Sequence, residues 1–262
     1  MGLQRLLVNA AMTAAHATRR LSHGLLFLAG GLMTLADHRR SAAGAHENSP
    51  RSTADALSGL NRVEEQAYQH VVPPGARLCV IGCGTGRDVL PFVARGHQVV
   101  AVEPEAGAVA TLVRLLDERG FSAQVICGYG EEAALPGLFD SVILSPHCYG
   151  NMPGAARRIA FLARLRSHLE PGGRIAINFL PRSGSLHSGG LRIAAATARL
   201  TGSDCPWEPN DIVQLVHGPR GRYVLYEHYF LAEEVVEEAR RAGLRPHGTD
   251  SPAVPALVIV GR

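Results

Sequence analysis

Lysine is absent from this 262-residue chain, so all 26 of its Lys/Arg positions are arginine. Together with abundant Ala, 29 glycines and 16 prolines, this points to a GC-rich coding sequence and carries no functional message. Cysteine is scarce: Cys79, Cys83, Cys127, Cys148 and Cys205 are an odd number and no two form a C-x-x-C pair. That argues against a disulfide framework or a metal site and favours a reducing, cytoplasmic compartment, with Cys79 and Cys127 as plain core residues of apolar strands. Basic runs and interleaved aromatics are also lacking. The net charge is +3, aromatics make up 5% of the chain, and acids alternate with arginines, which makes nucleic acid a poor partner. No apolar run is long enough to cross a bilayer: Gly24 to Ala36 spans thirteen residues and is interrupted by Gly30-Gly31, against roughly 20 needed. A signal peptide fits poorly, because Asp37, His38, Arg39 and Arg40 separate that stretch from the small residues at 42–45. What remains is a 46% hydrophobic chain near the upper size for one domain with extensions.

The most informative stretch is Ala76 to Glu105, A-R-L-C-V-I-G-C-G-T-G-R-D-V-L-P-F-V-A-R-G-H-Q-V-V-A-V-E-P-E. Leu78 to Ile81 is an apolar run without alternation, as a parallel strand covered on both faces requires. Gly82, Gly84 and Gly86 follow, where backbone can turn sharply and approach a ligand with no Cβ in the way. Val89, Leu90 and Val93 carry helical spacing over Asp88 to Arg95; Gln98 to Val102 reads as a second strand, closed by Glu103, whose carboxylate can accept from both hydroxyls of a ribose. The sixth position of the glycine pattern is Arg87 where a dinucleotide-binding fold wants a third glycine, which disfavours an NAD-dependent oxidoreductase.

G-C-G-T-G-R-D followed by E-P-E closely resembles the first motif of class I S-adenosylmethionine (SAM)-dependent methyltransferases, and two later stretches extend the likeness over most of residues 76–262. Gly130-Glu131, Leu135-Pro136 and Phe139-Asp140 before the strand Ser141 to Leu144 are similar to the family's "G-D, L-P, F-D" order. His168-Leu169-Glu170-Pro171-Gly172-Gly173-Arg174 before Ile175 to Leu180 is similar to its "L-x-P-G-G" turn. The resemblance implies an α/β fold: a seven-stranded, mostly parallel, doubly wound sheet with its last strand antiparallel. It implies SAM as cofactor and S-adenosylhomocysteine as product. It assigns cofactor contacts to Gly82, Cys83, Gly84, Gly86, Glu103, Pro104 and Ser145, with Glu131 or the adjoining Glu132 on the adenine amino group.

Around that core the chain divides into an N-terminal helical cap and linker at 1–53 and a methyltransferase domain at 54–262, with 181–230 as an insert over the acceptor pocket. Gly2 to Arg20 reads as an amphipathic helix (Leu3, Leu6, Leu7, Ala10, Ala11, Ala14) and Leu21 to Asp37 as a second. They are expected to cover the pocket, with a homodimer contact as a further use and membrane association disfavoured. Ser41 to Thr53 reads as a polar linker, and Ala54 to Val72 as the helix before the first strand, stopped by Pro73-Pro74-Gly75. In the insert, Leu191 to Leu200 reads as a helix, and Ile212 to Val216 and Tyr223 to Phe230 as strands joined across Gly218-Pro219-Arg220-Gly221. Leu231 to Ala242 is an amphipathic helix capped by Gly243, and Ala256 to Val260 the closing strand.

Ligands of open α/β sheets bind beyond the carboxyl ends of the strands, which turns attention to Ser145-Pro146-His147-Cys148-Tyr149 after the fourth. His147 is the candidate base or acceptor-binding group and Tyr149 the candidate to orient an acceptor or cover the methyl; Tyr226, Glu227 and His228 are weaker candidates. The expected activity is methyl transfer to oxygen or nitrogen of a small molecule, with secondary metabolism as a candidate setting. The alternative is a SAM-binding accessory or non-methylating protein on the same fold.

Overall fold

The computed structural model describes residues 2–45, 51–182, 188–218, 221–247 and 257–262. Its elements are α1 (Gly2–Leu32), α2 (Leu35–Ala45), α3 (Arg51–Ser58), α4 (Arg62–Gln69), β1 (Arg77–Ile81), α5 (Val89–Ala94), β2 (Gln98–Glu103), α6 (Ala106–Glu118), β3 (Gln124–Cys127) and β4 (Phe139–Leu144). After these come α7 (Pro146–Gly150), α8 (Ala155–Ser167), β5 (Leu169–Asn178), α9 (Ser188–Thr201), β6 (Asp211–Gly218), β7 (Gly221–His228), α10 (Ala232–Arg241), β8 (Arg245–Pro246) and β9 (Leu257–Gly261). Residues 46–50 of the expected linker, 183–187 of the insert, Pro219 and Arg220 of the hairpin turn and Ala256 of the closing strand lie outside the described residues.

Seven strands form one sheet in the order β3-β2-β1-β4-β5-β9-β8, parallel except that β9 runs antiparallel to β5 and β8. This is the doubly wound sheet that the apolar, non-alternating strand runs demand. In β1, Leu78 and Val80 join one buried cluster with Val89, Leu112 and Ile143, while Cys79 and Ile81 join the other with Val142, Phe161 and Leu165. Covering both faces of a strand in this way stabilises by about 1.5 to 3 kcal/mol per large apolar side chain. Ile81 is level with Val102 of β2 and with Leu144 of β4. The segments leaving these three strands therefore emerge side by side at one sheet edge, where the chain order reverses about β1.

The hairpin does not join this sheet. β6 and β7 pair as a separate antiparallel ribbon in unbroken register from Asp211↔His228 to Gly218↔Gly221, and β7 ends at His228, earlier than Phe230. The main sheet is completed by the two-residue β8. Against the ribbon lie α1 and α2, with α9 packed on α1, and Phe27, Ala194 and Val213 form a small core of their own beside Leu26, Leu191, Trp207 and Val224. Gly31 lets α1 press on α9, since a Cβ there would stand 2.5 Å from the Ala194 carbonyl oxygen. Ser41 Oγ donates to the Val224 carbonyl at 2.8 Å, tying α2 to β7.

Helix boundaries differ from expectation where capping outweighs periodicity. Gly2 to Leu32 is one helix, because nothing between Arg20 and Gly30 stops it; the break falls at Met33–Thr34. There Thr34 and Asp37 form a reciprocal cap, with Asp37 Oδ2 accepting from the Thr34 N–H at 2.9 Å and Asp37 N–H donating to Thr34 Oγ1 at 3.2 Å. The 54–72 helix is two: Gly59, at φ +66°, ends α3, and Asn61 and Glu64 cap α4 with mutual bonds of 3.0 and 2.9 Å. The linker start is helical as far as Ala45. Cys127 is exposed, because β3 is the sheet's edge strand, so only Cys79 of that pair is a core thiol.

Candidate functional site

A cavity of about 750 Å³ opens at the sheet edge where β1, β2 and β4 end, within the size range of small-molecule and cofactor sites. Gly82 to Thr85 form its floor, Glu103 and Pro104 one wall, Ser145 to Cys148 another, and Arg39, Ala42 and Ala43 of α2 its cover. Gly84 is at φ +53° and a Cβ there would meet nothing within 4 Å, so its bare backbone faces open space. Gly82 and Gly86 also have positive φ but serve packing: a Cβ on Gly82 would come within 2.7 Å of Cys148 Cβ, and one on Gly86 would strike the Leu112 side chain.

Glu103 is buried at the end of β2, its Oε2 accepting from Gly84 N–H at 2.9 Å and its Oε1 from Glu105 N–H at 3.0 Å. Burial pushes its pKa up, and the two backbone donors pull it back. Each oxygen keeps a second lone pair for a ligand hydroxyl. Arg87, in the place of a third glycine, throws its guanidinium onto Glu64 with two bonds of 2.7 Å and lies 2.9 Å from Asp88 Oδ1, joining α4 to the turn. Asp88 lines the same cavity, and burial raises its pKa to about 6.

On the β4 side, Ser145 caps α7 by accepting from Cys148 N–H, with Pro146 at the first helical position. His147 lines the cavity, half exposed, and its Nδ1 lies 3.1 Å from Oε1 of Glu227. Glu227 is almost fully buried on β7, and its other oxygen takes Gln214 Nε2 and, at 3.3 Å, the Tyr229 hydroxyl. A carboxylate so held fixes the imidazole tautomer with hydrogen on Nδ1 and the basic lone pair on Nε2. Glu227 carries little mark of this role in the sequence, because it stands on the separate β6/β7 ribbon, eighty residues from its partner His147 on α7.

Three expected site residues stand elsewhere. Tyr149 is fully buried, stacked on Phe230 with ring centroids 5.0 Å apart, and its hydroxyl donates to Glu238 Oε2. Two residues along a helix reverse direction, so His147 facing the cavity turns Tyr149 toward α10. Gly86 packs under α6 through Leu112, away from the cavity wall. Glu132 is exposed outside the cavity and pairs with Arg39 at 2.6 Å. Glu131 does line the cavity, but its carboxylate is gripped by Arg157 at 2.6 and 2.8 Å and by Arg39 at 2.7 Å, so it joins α2 to α8 across the loop after β3. Arg39, Arg157, Tyr129 and His217 are cavity residues that no local motif marks; they reach it from α2, α8, the loop after β3 and the hairpin.

Under the hairpin, Glu208, Asp211 and His228 bring potential ligand atoms within 4.8 Å of one another. All three are spent on protein. His228 bridges Asp211 at 2.6 Å and Glu234 at 3.0 Å, Asp211 accepts from the Tyr226 hydroxyl at 2.6 Å, and Glu208 accepts from Ala155 N–H at 2.8 Å and Arg158 at 2.9 Å.

Residues 79–173 match a family described as a methyltransferase domain. The chain is 30% identical over 149 residues to a ubiquinone biosynthesis O-methyltransferase of Bradyrhizobium sp. (strain ORS 278), covering 56% of this chain and 57% of that protein. A protein of the same description from Nitrobacter winogradskyi is 31% identical over 109 residues, 42% of this chain and 40% of that one. The chain thus matches little more than half the length of the first of these relatives and less of the second. The fold is similar to CcbJ methyltransferase of Streptomyces caelestis, with TM-score 0.55, 15% identity and 87% and 97% of the two chains covered. It is also similar to SAM-bound CalS10 of Micromonospora echinaspora, an amino pentose methyltransferase, with TM-score 0.54, 20% identity and 83% and 93% covered. Strand order, glycine turn, acid at the end of β2 and domain match agree: residues 79–173 are a methyltransferase domain, and the chain has the Rossmann-like fold of S-adenosylmethionine-dependent methyltransferases.

Proposed function

We propose that the protein transfers a methyl group from SAM to a small molecule, with a hydroxyl as the acceptor the cavity suits best. One observation carries this reading: the open face of Gly84, the ribose-competent carboxylate of Glu103 and the His147–Glu227 pair all border one cavity. The residues fit the cofactor. Gly84 leaves room where a Cβ would intrude, and Glu103 is already oriented by the N–H groups of Gly84 and Glu105. SAM, when bound, supplies a methyl on a sulfonium, an electrophile that needs only an aligned lone pair behind it. Methyl transfer to a hydroxyl forms an O–C bond, breaks the S–C bond and releases a proton, which His147 Nε2 accepts while Glu227 stabilises the imidazolium through Nδ1–H. The apolar methylenes and methyls of Ala42, Ala43 and Met152 at the cover would exclude water from the transfer.

In this reading residues 1–53 act as the cap and 54–262 as the catalytic domain, with 181–230 as an insert that brings Glu227 to the acceptor side. This is supported by the packing of α1 and α2 on the β6/β7 ribbon. No described helix is long and apolar enough to cross a membrane. The five thiols, all unpaired, favour a cytoplasmic setting.

Incubating the protein with methyl-labelled SAM and an extract of its source cells should place label in the small-molecule fraction. Label in protein or nucleic acid, or in no fraction, would overturn the proposal. With the acceptor in hand, His147→Ala is expected to lower kcat by about 10² to 10⁴-fold if that acceptor is a hydroxyl, and Glu227→Gln by a smaller factor, both with unchanged SAM affinity. A kcat that neither variant alters would remove the base assignment.

A further inference from the structure

From Leu21 onward α1 sorts sharply by face. Phe27, Gly30 and Gly31 are buried against α9 and the β6/β7 ribbon, whereas Leu21, Leu25, Leu28 and Leu32 are exposed, the first at 66% and both Leu25 and Leu32 at 56%. Steps of four, three and four residues hold these leucines in a single stripe on the side away from the ribbon. The stripe widens onto α9: Ile193, 39% exposed, has its Cδ1 3.6 Å from the Cβ position of Gly24, and Leu200, two turns further along the same face of α9, is 87% exposed. A continuous leucine stripe in water is a mark of an interaction surface.

Charge selects the partner. Arg19 and Arg20 of α1 and Arg192 and Arg199 of α9 are exposed, and neither helix has an Asp or Glu. A second copy docked face to face about a two-fold axis would set these arginines against their own equivalents with no carboxylate from either helix to neutralise them. A bilayer surface carrying anionic headgroups offers acyl chains to the leucines and phosphates to the arginines at once. Since no described helix can span, the contact would lie in the plane of the interface. We propose that the α1/α9 face docks the protein on an anionic phospholipid surface. α2, which begins three residues after α1 ends, lines the cavity through Arg39, Ala42 and Ala43, so docking also holds the cavity cover close to that surface.

Flotation of the full chain with vesicles tests this. It should rise with vesicles of phosphatidylcholine mixed with phosphatidylglycerol, remain behind with phosphatidylcholine alone, and be released by salt. The double variant Leu25→Glu/Leu32→Glu should bind the mixed vesicles on the order of 100-fold more weakly with an unchanged melting temperature, because both side chains are exposed in the folded protein. Arg19→Gln/Arg20→Gln should weaken binding about tenfold. No flotation on the mixed vesicles, or flotation that the leucine variant leaves intact, would overturn the proposal. So would light scattering that shows a lipid-free dimer made monomeric by the same leucine variant, which would assign the stripe to a second copy.

Discussion

Gly84→Val is expected to abolish SAM binding in a protein that still folds. Gly84 is in the left-handed region at φ +53°, with nothing within 4 Å of its Cβ position, and its N–H donates to Glu103 at 2.9 Å. A β-branched side chain there costs about 1 to 3 kcal/mol of backbone strain, within the 5 to 15 kcal/mol that typically holds a domain together. It also projects into the space where a ligand must approach the turn. The other two glycines respond differently. Valine at Gly86 would collide with Leu112, and at Gly82 with Ser145 and Cys148, so those variants should lose folding before binding is at issue. Circular dichroism and calorimetry on the three proteins separate the outcomes. A folded Gly84→Val protein that binds SAM with wild-type affinity would make this turn structural only.

The largest effect on stability is expected from Arg158→Met. Arg158 on α8 has no solvent exposure; its Nε lies 3.0 Å from both Glu238 oxygens, its Nη2 2.6 Å from Glu238 and 2.9 Å from Glu208, and its Nη1 3.2 Å from the Met152 carbonyl. Tyr149, on the helix that carries His147, donates to the same Glu238. Removing the cation leaves Glu238 buried and unbalanced, a loss of about 3 to 5 kcal/mol. For a chain of this size that lowers the melting temperature by about 6 to 20 °C. The triple variant Arg158→Met/Glu238→Leu/Glu208→Gln should recover much of the loss, because an apolar replacement of a buried ionic group is often neutral. A single variant that melts within two degrees of wild type, about 1 kcal/mol or less, would show that the network contributes little.

The parallel core was readable because its physics is local. Leu78 to Ile81 and Val99 to Val102 are buried on both faces and so carry no polar alternation, and the glycines at 82, 84 and 86 mark backbone that must turn with positive φ. Helix ends were less legible, although the signals were present: T-L-A-D at 34–37 and N-R-V-E at 61–64 are capping boxes that outweigh the apolar period running through them. Long-range partners carried almost no local signal. Nothing near Tyr149 says that Glu238, 89 residues later, takes its hydroxyl, or that Glu227 will stand behind His147. The double grip of Arg39 and Arg157 on Glu131 likewise depends on how α2 and α8 are carried over the loop after β3.

The central claim is that this cavity takes SAM through the glycine turn and the carboxylate of Glu103, and calorimetric titration tests it most directly. Wild-type protein should bind SAM and S-adenosylhomocysteine and bind NAD far more weakly, since Arg87 replaces the glycine that a pyrophosphate site requires. Glu103→Ala removes a charge-assisted pair of acceptors and should weaken SAM binding by about 1.5 to 3 kcal/mol, tenfold or more, with melting curves run alongside to show that the protein remains folded. Unchanged SAM affinity in a folded Glu103→Ala protein, or tighter binding of NAD than of SAM by the wild type, would contradict it.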